Sequence, residues 1–218
     1  MQKNLNLSHA HIRRDYHSDE LIEKKFKAHP MKQFSIWFDK AVEKKTPDAN
    51  AFILATADRK GRPSARVLLM KGYDKKGITF FTNYSSEKGR QLAQNPYGEA
   101  VFFWNLLNRQ VRLRGSIRRL DRMESLAYFK SRPLEAQIAA CISKQSYAIK
   151  GRKELQKKFD LFKKNAKNIN PEMPIEWGGY ILEVKRVEFW QGRPSRLHDR
   201  LSYKKSSGSS WKKIRLQP

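Results

Sequence analysis

Four short runs of the chain gather side chains that could hold or transform an anionic ligand. The densest is Phe189-Trp190-Gln191-Gly192, followed closely by Arg196-Leu197-His198-Asp199-Arg200. Two guanidiniums, an imidazole and a carboxylate so close together are costly to bury and hard to explain as packing. His198 could carry a proton near neutral pH, but no spacing supplies a paired base or triad partner, so hydrolysis has no positive support. In Arg66-Val67-Leu68-Leu69-Met70-Lys71, strand alternation sends the two cations to opposite faces. Either could meet a phosphate, or both could be solvated ends of a core strand. Tyr128 and Arg132, four apart on one helical face, suit the oxygens of one phosphate, although Arg132 could equally be a surface residue at a helix junction. Ser143-Lys144-Gln145-Ser146 is a polar loop able to offer amide and hydroxyl partners. His9, His11, His17 and His29 fall in a polar stretch, where solvation is expected and no metal site is.

The elements that must carry these residues change period along the chain. Residues 1–28 lack a sustained apolar period and are expected to form a mobile or ligand-ordered arm, with residues 29–218 as one domain. Phe34, Ile36, Trp37, Phe38, Ala41 and Val42 recur at helical spacing, which predicts an amphipathic helix from Met31 to Lys44. Short apolar runs then predict three consecutive strands with hairpin-like connections, turned at Asp58–Gly61 and Asp74–Gly77. Ser85 or Ser86 can cap a helix that runs to Gln94. Two strands meet at Leu107-Asn108, Asp121 caps a helix, Pro133 opens another, and Leu155, Phe159 and Phe162 stripe a basic third. The final strands flank Ser206–Ser210, short enough for a hairpin loop. Six or seven antiparallel strands with peripheral helices suggest a small closed barrel, a mainly β fold.

Composition narrows the class. Twelve Phe, eight Tyr and five Trp argue for a folded core despite 31% charged residues, and 218 residues can bury one without disulfides. Cys141 is the only cysteine, which excludes a disulfide within one chain and fits a reducing cytoplasm. No signal peptide or membrane-spanning stretch is expected. The net charge of +25 divides as +3 over residues 1–50, +11 over 51–149 and +11 over 150–218. So diffuse a field attracts phosphates of any kind, and nucleic acid is not expected as the physiological partner.

Taken together, RRDY (Arg13, Arg14, Asp15, Tyr16), RVLLMK (Arg66 to Lys71), FFTNYSSEK (Phe80 to Lys88, with Phe81 and Thr82), YFKSRP, SKQS and FWQG with RLHDR resemble the pyridoxamine/pyridoxine 5'-phosphate oxidase family over nearly the whole chain. The resemblance implies a split β-barrel homodimer with FMN at the subunit interface. It implies FMN contacts from Arg66, Val67, Leu68, Leu69, Met70, Lys71, Phe81, Thr82, Lys88, Gln110, Gln145, Ser146, Trp190 and Arg200. Substrate contacts are implied for Arg13, Arg14, Asp15, Tyr16, Lys71, Tyr128, Arg132, Arg196, Leu197 and His198, with Arg196 and His198 nearest the reacting ring and Arg13 to Tyr16 as a lid. The implied reaction oxidises a phosphorylated vitamin B6 substrate to pyridoxal 5'-phosphate, with molecular oxygen as acceptor and hydrogen peroxide released. Two positions depart from the family pattern: Glu87 stands where a second cation is common, and Ala136 where a serine is.

Overall fold

The computed structural model describes residues 15, 16, 18, 20–165, 171–206 and 210–218. Arg13 and Arg14, with His9, His11 and His17, lie outside the described residues.

The hairpins form where short polar turns interrupt alternating strands. β1 (Ala51–Ala57) and β2 (Pro63–Leu69) pair around Asp58, whose Oδ1 accepts from the Lys60 and Arg62 amides at 2.9 and 3.0 Å. β3 (Gly72–Tyr73) and β4 (Gly77–Asn83) turn at Asp74, which accepts from the Lys76 and Gly77 amides. β5 (Tyr97–Trp104) and β6 (Arg109–Arg119) meet at Asn108, which takes the left-handed conformation at φ 50°. β7 (Trp177–Gln191) is followed by the hairpin of β8 (Asp199–Lys205) and β9 (Trp211–Leu216), closed by Ser206 N donating to Ser210 O at 3.0 Å.

All pairings are antiparallel, in the order β2-β1-β5-β6-β7-β4-β3, with β8 and β9 continuing from β7. Three expectations need correction. Among the described residues there are nine strands rather than six or seven, one of the additions arising where Met70-Lys71 divides an apolar run into β2 and β3. The first three strands are not a meander: β2 pairs only with β1, whereas β4 pairs with β7. The barrel is also not a closed ring, since β2 and β3 end the path without pairing each other. The chain itself bridges those ends, with Met70 N donating to Asn50 O and Lys71 N to Thr79 O, both at 2.9 Å. Strand β7 is shared: its first half lies between β6 and β4, its second between β6 and β8. A bulge opposite Gly115 bends it from one half to the other. A Cβ on Gly115 would stand 1.9 Å from Glu183 O, so only glycine allows that approach.

Helix α1 (Pro30–Glu43) fills the barrel with Phe34 and Trp37, which meet Phe102 and Phe189 at ring separations of 5.2 and 5.1 Å. Its cap is His29, whose Nδ1 accepts from Met31 N at 3.2 Å. This corrects the expectation of a solvated imidazole; burial holds its pKa below the ordinary value. The described segment from Glu20 is also anchored rather than loose. Leu21 is buried, Phe26 packs on Trp37 and Phe189, and Tyr203 donates its hydroxyl to Lys27 O. Two apolar residues without helical spacing suffice for this, so periodicity could not reveal it. Around the barrel lie α2 (Glu87–Gln94), α3 (Arg122–Ser131), α4 (Leu134–Ile142) and α5 (Arg152–Asn165). Among the described residues no helix is long and apolar enough to cross a membrane.

Candidate active site

Strand β4 runs into α2 through Tyr84-Ser85-Ser86, and this junction builds a cationic cradle. Ser86 caps the helix, its Oγ accepting from Gly89 N at 3.3 Å. Gly89 lets the helix sit tight: a Cβ there would be 2.0 Å from Tyr84 O. Lys88 is thereby buried at the helix start, where Nζ donates to Thr82 Oγ1 at 3.2 Å and Ser86 Oγ at 3.3 Å. Thr82 donates in turn to Gln145 Oε1 at 2.9 Å, which also accepts from Asn83 N. From β2, Arg66 donates to Thr56 Oγ1 at 2.6 Å and to Leu54 O and Ser64 O at 3.2 Å. Its guanidinium is held rigid by partners that sequence reasoning did not identify; Thr56, Ser64 and Ser86 carry no sequence signal beyond the helix cap. Burial, with Arg66 nearby, pulls the Lys88 pKa down to about 8. Two cations fixed together over a helix N-terminus suit a phosphate dianion, which would relieve their repulsion.

A second cluster lies beside the first. Phe81, next to Thr82 on β4, stacks on Tyr128 at 3.9 Å and on Trp177 at 5.6 Å. Arg132 is the residue that ends α3, in extended conformation, so it does not share a helical face with Tyr128 as expected. Its guanidinium nevertheless covers Trp177 at 4.8 Å and Phe129 at 5.9 Å. Nη1 of Arg132 is buried without a hydrogen-bond partner, and burial lowers the pKa of the group. An orphaned guanidinium nitrogen beside a tyrosine has the donors to suit an anion's oxygens. Lys71 is exposed, its amide bonded to Thr79 O two residues along β4 from Phe81. Lys71 follows the end of β2, so strand alternation does not govern it. Ala136, in α4, adds no polar atom. Ser146 sits in the left-handed region at φ 72° within the loop that presents Gln145.

The third group stands at the far end of β7. Gln110 on β6, Trp190 on β7 and Arg200 on β8 form one cross-strand row. Arg200 is fixed by the buried Glu188, with Nε to Oε1 at 3.0 Å. Tyr16 packs edge-on against Trp190 at 5.7 Å and His198 at 5.6 Å. The contact needs Gly192, because a Cβ there would lie 2.7 Å from the Tyr16 ring. His198 Nδ1 accepts from Arg193 N at 3.1 Å, which leaves the proton of the neutral ring on Nε2. Burial and Arg196 lower the His198 pKa, favouring that neutral form. Ser195 and Arg196 are both left-handed, at φ 54° and 61°, a strained turn that exposes Arg196 and Leu197. Asp199 is structural: it accepts from Leu21 N at 3.1 Å and from Arg215. Asp15 is exposed.

The predicted residues thus fall into two groups within the chain. Arg66, Thr82, Lys88, Gln145, Phe81, Tyr128 and Arg132 surround the junction of β4 with α2 and α3, while Gln110, Trp190, His198 and Arg200 stand at the other end of β7. Val67 and Leu69 are exposed, Leu68 is half-buried and Met70 is buried, on a strand whose outer edge is unpaired among the described residues. That edge offers main-chain donors and acceptors.

These features define an antiparallel split barrel with cationic clusters whose chemistry suits phosphorylated ligands. Comparison with known proteins is more specific. Residues 38–165 match the family described as pyridoxamine 5'-phosphate oxidase, and residues 177–218 match the pyridoxine 5'-phosphate oxidase C-terminal dimerisation region. A pyridoxine/pyridoxamine 5'-phosphate oxidase of Polynucleobacter asymbioticus is 47% identical over 209 residues, covering 96% of this chain and 98% of the relative. Another, of Ectopseudomonas mendocina, is 49% identical with the same coverage. The crystal structure of PhzG from Burkholderia lata, in complex with tetrahydrophenazine-1-carboxylic acid, is similar with a TM-score of 0.86 and 28% identity, covering 92% of this chain and 99% of that one. The chain belongs to the pyridoxamine 5'-phosphate oxidase family.

Proposed function

We propose that the protein is a homodimeric, cytoplasmic flavoenzyme that oxidises pyridoxamine 5'-phosphate and pyridoxine 5'-phosphate to pyridoxal 5'-phosphate. The observation that supports this reading is a pair of cationic clusters on neighbouring elements, Arg66 with Lys88, and Arg132 with its orphaned Nη1 beside Tyr128. One suits the phosphate of FMN and the other that of the substrate, so two phosphorylated molecules would be held in adjacent positions. When bound, FMN supplies the two-electron acceptor, and molecular oxygen restores it with release of hydrogen peroxide.

The protein's own residues bind and orient. Arg66, Lys88 and Thr82 would hold the cofactor phosphate, Gln145 and Ser146 a polar edge, and the β2 edge from Val67 to Met70 the ring system. Gln110, Trp190 and Arg200 would complete that site from a second subunit. Lys71, Tyr128 and Arg132 would fix the substrate phosphate, which leaves C4' free to present its hydrogen. His198, neutral and protonated on Nε2, can donate to a polar atom of the pyridine ring, and the exposed Arg196 can stabilise negative charge there. Tyr16, resting on Trp190 and His198, is placed to cover the ring and exclude water, with the exposed Asp15 beside it. Amine oxidation gives an imine that water hydrolyses to the aldehyde with loss of ammonia; alcohol oxidation gives the aldehyde directly. PhzG shares the fold around a different compound, but the clamp favours a phosphorylated substrate.

The test is the visible spectrum of the purified protein before and after pyridoxamine 5'-phosphate is added without oxygen. Flavin absorbance should bleach and return with air. A yellow protein that does not bleach would have another substrate, and a protein that cannot take up FMN would sink the proposal.

A further inference from the structure

Among the described residues Glu87 is the acid that faces the cationic cradle, and the role of the cradle does not call for it. It is the first residue of α2 and the immediate neighbour of Lys88 in sequence. Its Oε2 lies 3.9 Å from Arg66 Nη2, and its charge acts on Lys88 in the direction that favours the ammonium, against the effect of Arg66. The Arg66 side chain is 19% exposed and that of Glu87 56% exposed, so the carboxylate approaches from the solvent side, the side from which a ligand would enter. An acid in the first turn is favoured by the helix dipole. Any residue position in that turn could supply this, whereas only this one faces Arg66.

On the reading of Arg66, Lys88 and Thr82 as a phosphate cradle, we propose that Glu87 is a built-in competitor of the phosphate, which lowers the preference of the site for a phosphorylated flavin over an unphosphorylated one. In the cofactor-free protein the carboxylate neutralises part of the repulsion between Arg66 and Lys88 and keeps the cradle in order. A bound phosphate meets the same guanidinium and must tolerate a like charge a few ångströms away, which costs affinity. The flavin ring and ribityl chain carry no charge and are indifferent to it. The residue therefore tunes selection by charge while leaving ring recognition alone.

The experiment titrates the cofactor-free full-length protein with FMN and, separately, with riboflavin, following quenching of flavin fluorescence. Glu87→Gln should lower the FMN Kd roughly two- to fivefold, the range of a partly exposed ion interaction, and leave the riboflavin Kd unchanged. Glu87→Ala should do the same, which separates charge from side-chain length. An unchanged or raised FMN Kd in both variants, with wild-type protein still preferring FMN, would overturn the role of Glu87 alone. Parallel tightening of both flavins would also overturn it, assigning the residue to helix stability. Equal affinity of the wild-type protein for FMN and riboflavin would instead remove the cradle reading on which it rests.

Discussion

Thr82 and Trp190 are set against opposite ends of one strand: Thr82 pairs with Gly178 at the start of β7, and Trp190 lies twelve residues further along it. At about 3.3 Å per residue the separation is on the order of 40 Å before the bulge shortens it, longer than one mononucleotide. A cofactor held by both ends must therefore draw them from two chains. This agrees with a family match that describes residues 177–218 as a dimerisation region.

The arrangement makes complementation a direct test. Arg66→Ala removes a cradle cation and His198→Ala a ring contact, so each variant alone should be inactive. In a mixed dimer, one site combines the intact Arg66 of one chain with the intact His198 of the other. Co-expressed in equal amounts, with half the dimers mixed and one good site in each, the preparation should recover about a quarter of wild-type turnover. No recovery in isolated mixed dimers would mean that each site is completed within one chain.

Lys88 gives the cofactor site a pH dependence whose sign follows from its pKa. Burial and Arg66 lower it from 10.5 to about 8. Between those values the folded chain binds fewer protons than the unfolded chain, so stability of the cofactor-free protein should rise from pH 8 toward 10.5. Phosphate favours the ammonium, so FMN binding takes up a proton above pH 8 and should weaken there, by up to about tenfold per pH unit. Titrations of FMN from pH 7 to 9.5 measure this, and Lys88→Met should flatten the profile at a weaker affinity. A flat wild-type profile would mean that Lys88 does not meet the phosphate.

Much of this was legible in the sequence because the signals were local. Asp58 and Asp74 marked their turns, Ser86 and Asp121 their helices, and alternation marked the strands. What escaped was long-range. Nothing near Phe81 says that β4 pairs with β7 rather than β2, and that pairing is what sets the Thr82 cradle and the Trp190 row at opposite ends of one strand. Arg132 illustrates the same limit at short range. Spacing put it on a helix with Tyr128, but Pro133 forces the residue before it into extended backbone and ends the helix. The two side chains still converge, through Trp177, forty-five residues later.

Arg132 separates a binding role from a structural one. Its Nη1 has no partner, so the ligand-free fold bears the cost of a buried, unsatisfied donor, and burial lowers the group's pKa. Arg132→Met should keep the stem packed over Trp177 while removing that donor, and the melting temperature of the cofactor-loaded, substrate-free protein should not fall. Substrate binding should suffer in the opposite sense. Loss of a hydrogen bond to a charged group is worth about 1.5–3 kcal/mol, so KM for pyridoxamine 5'-phosphate should rise roughly ten- to hundredfold, with FMN retained. The two readouts together are decisive. A melting temperature that drops by several degrees while KM holds would make Arg132 a staple over Trp177, and the substrate phosphate would need another partner.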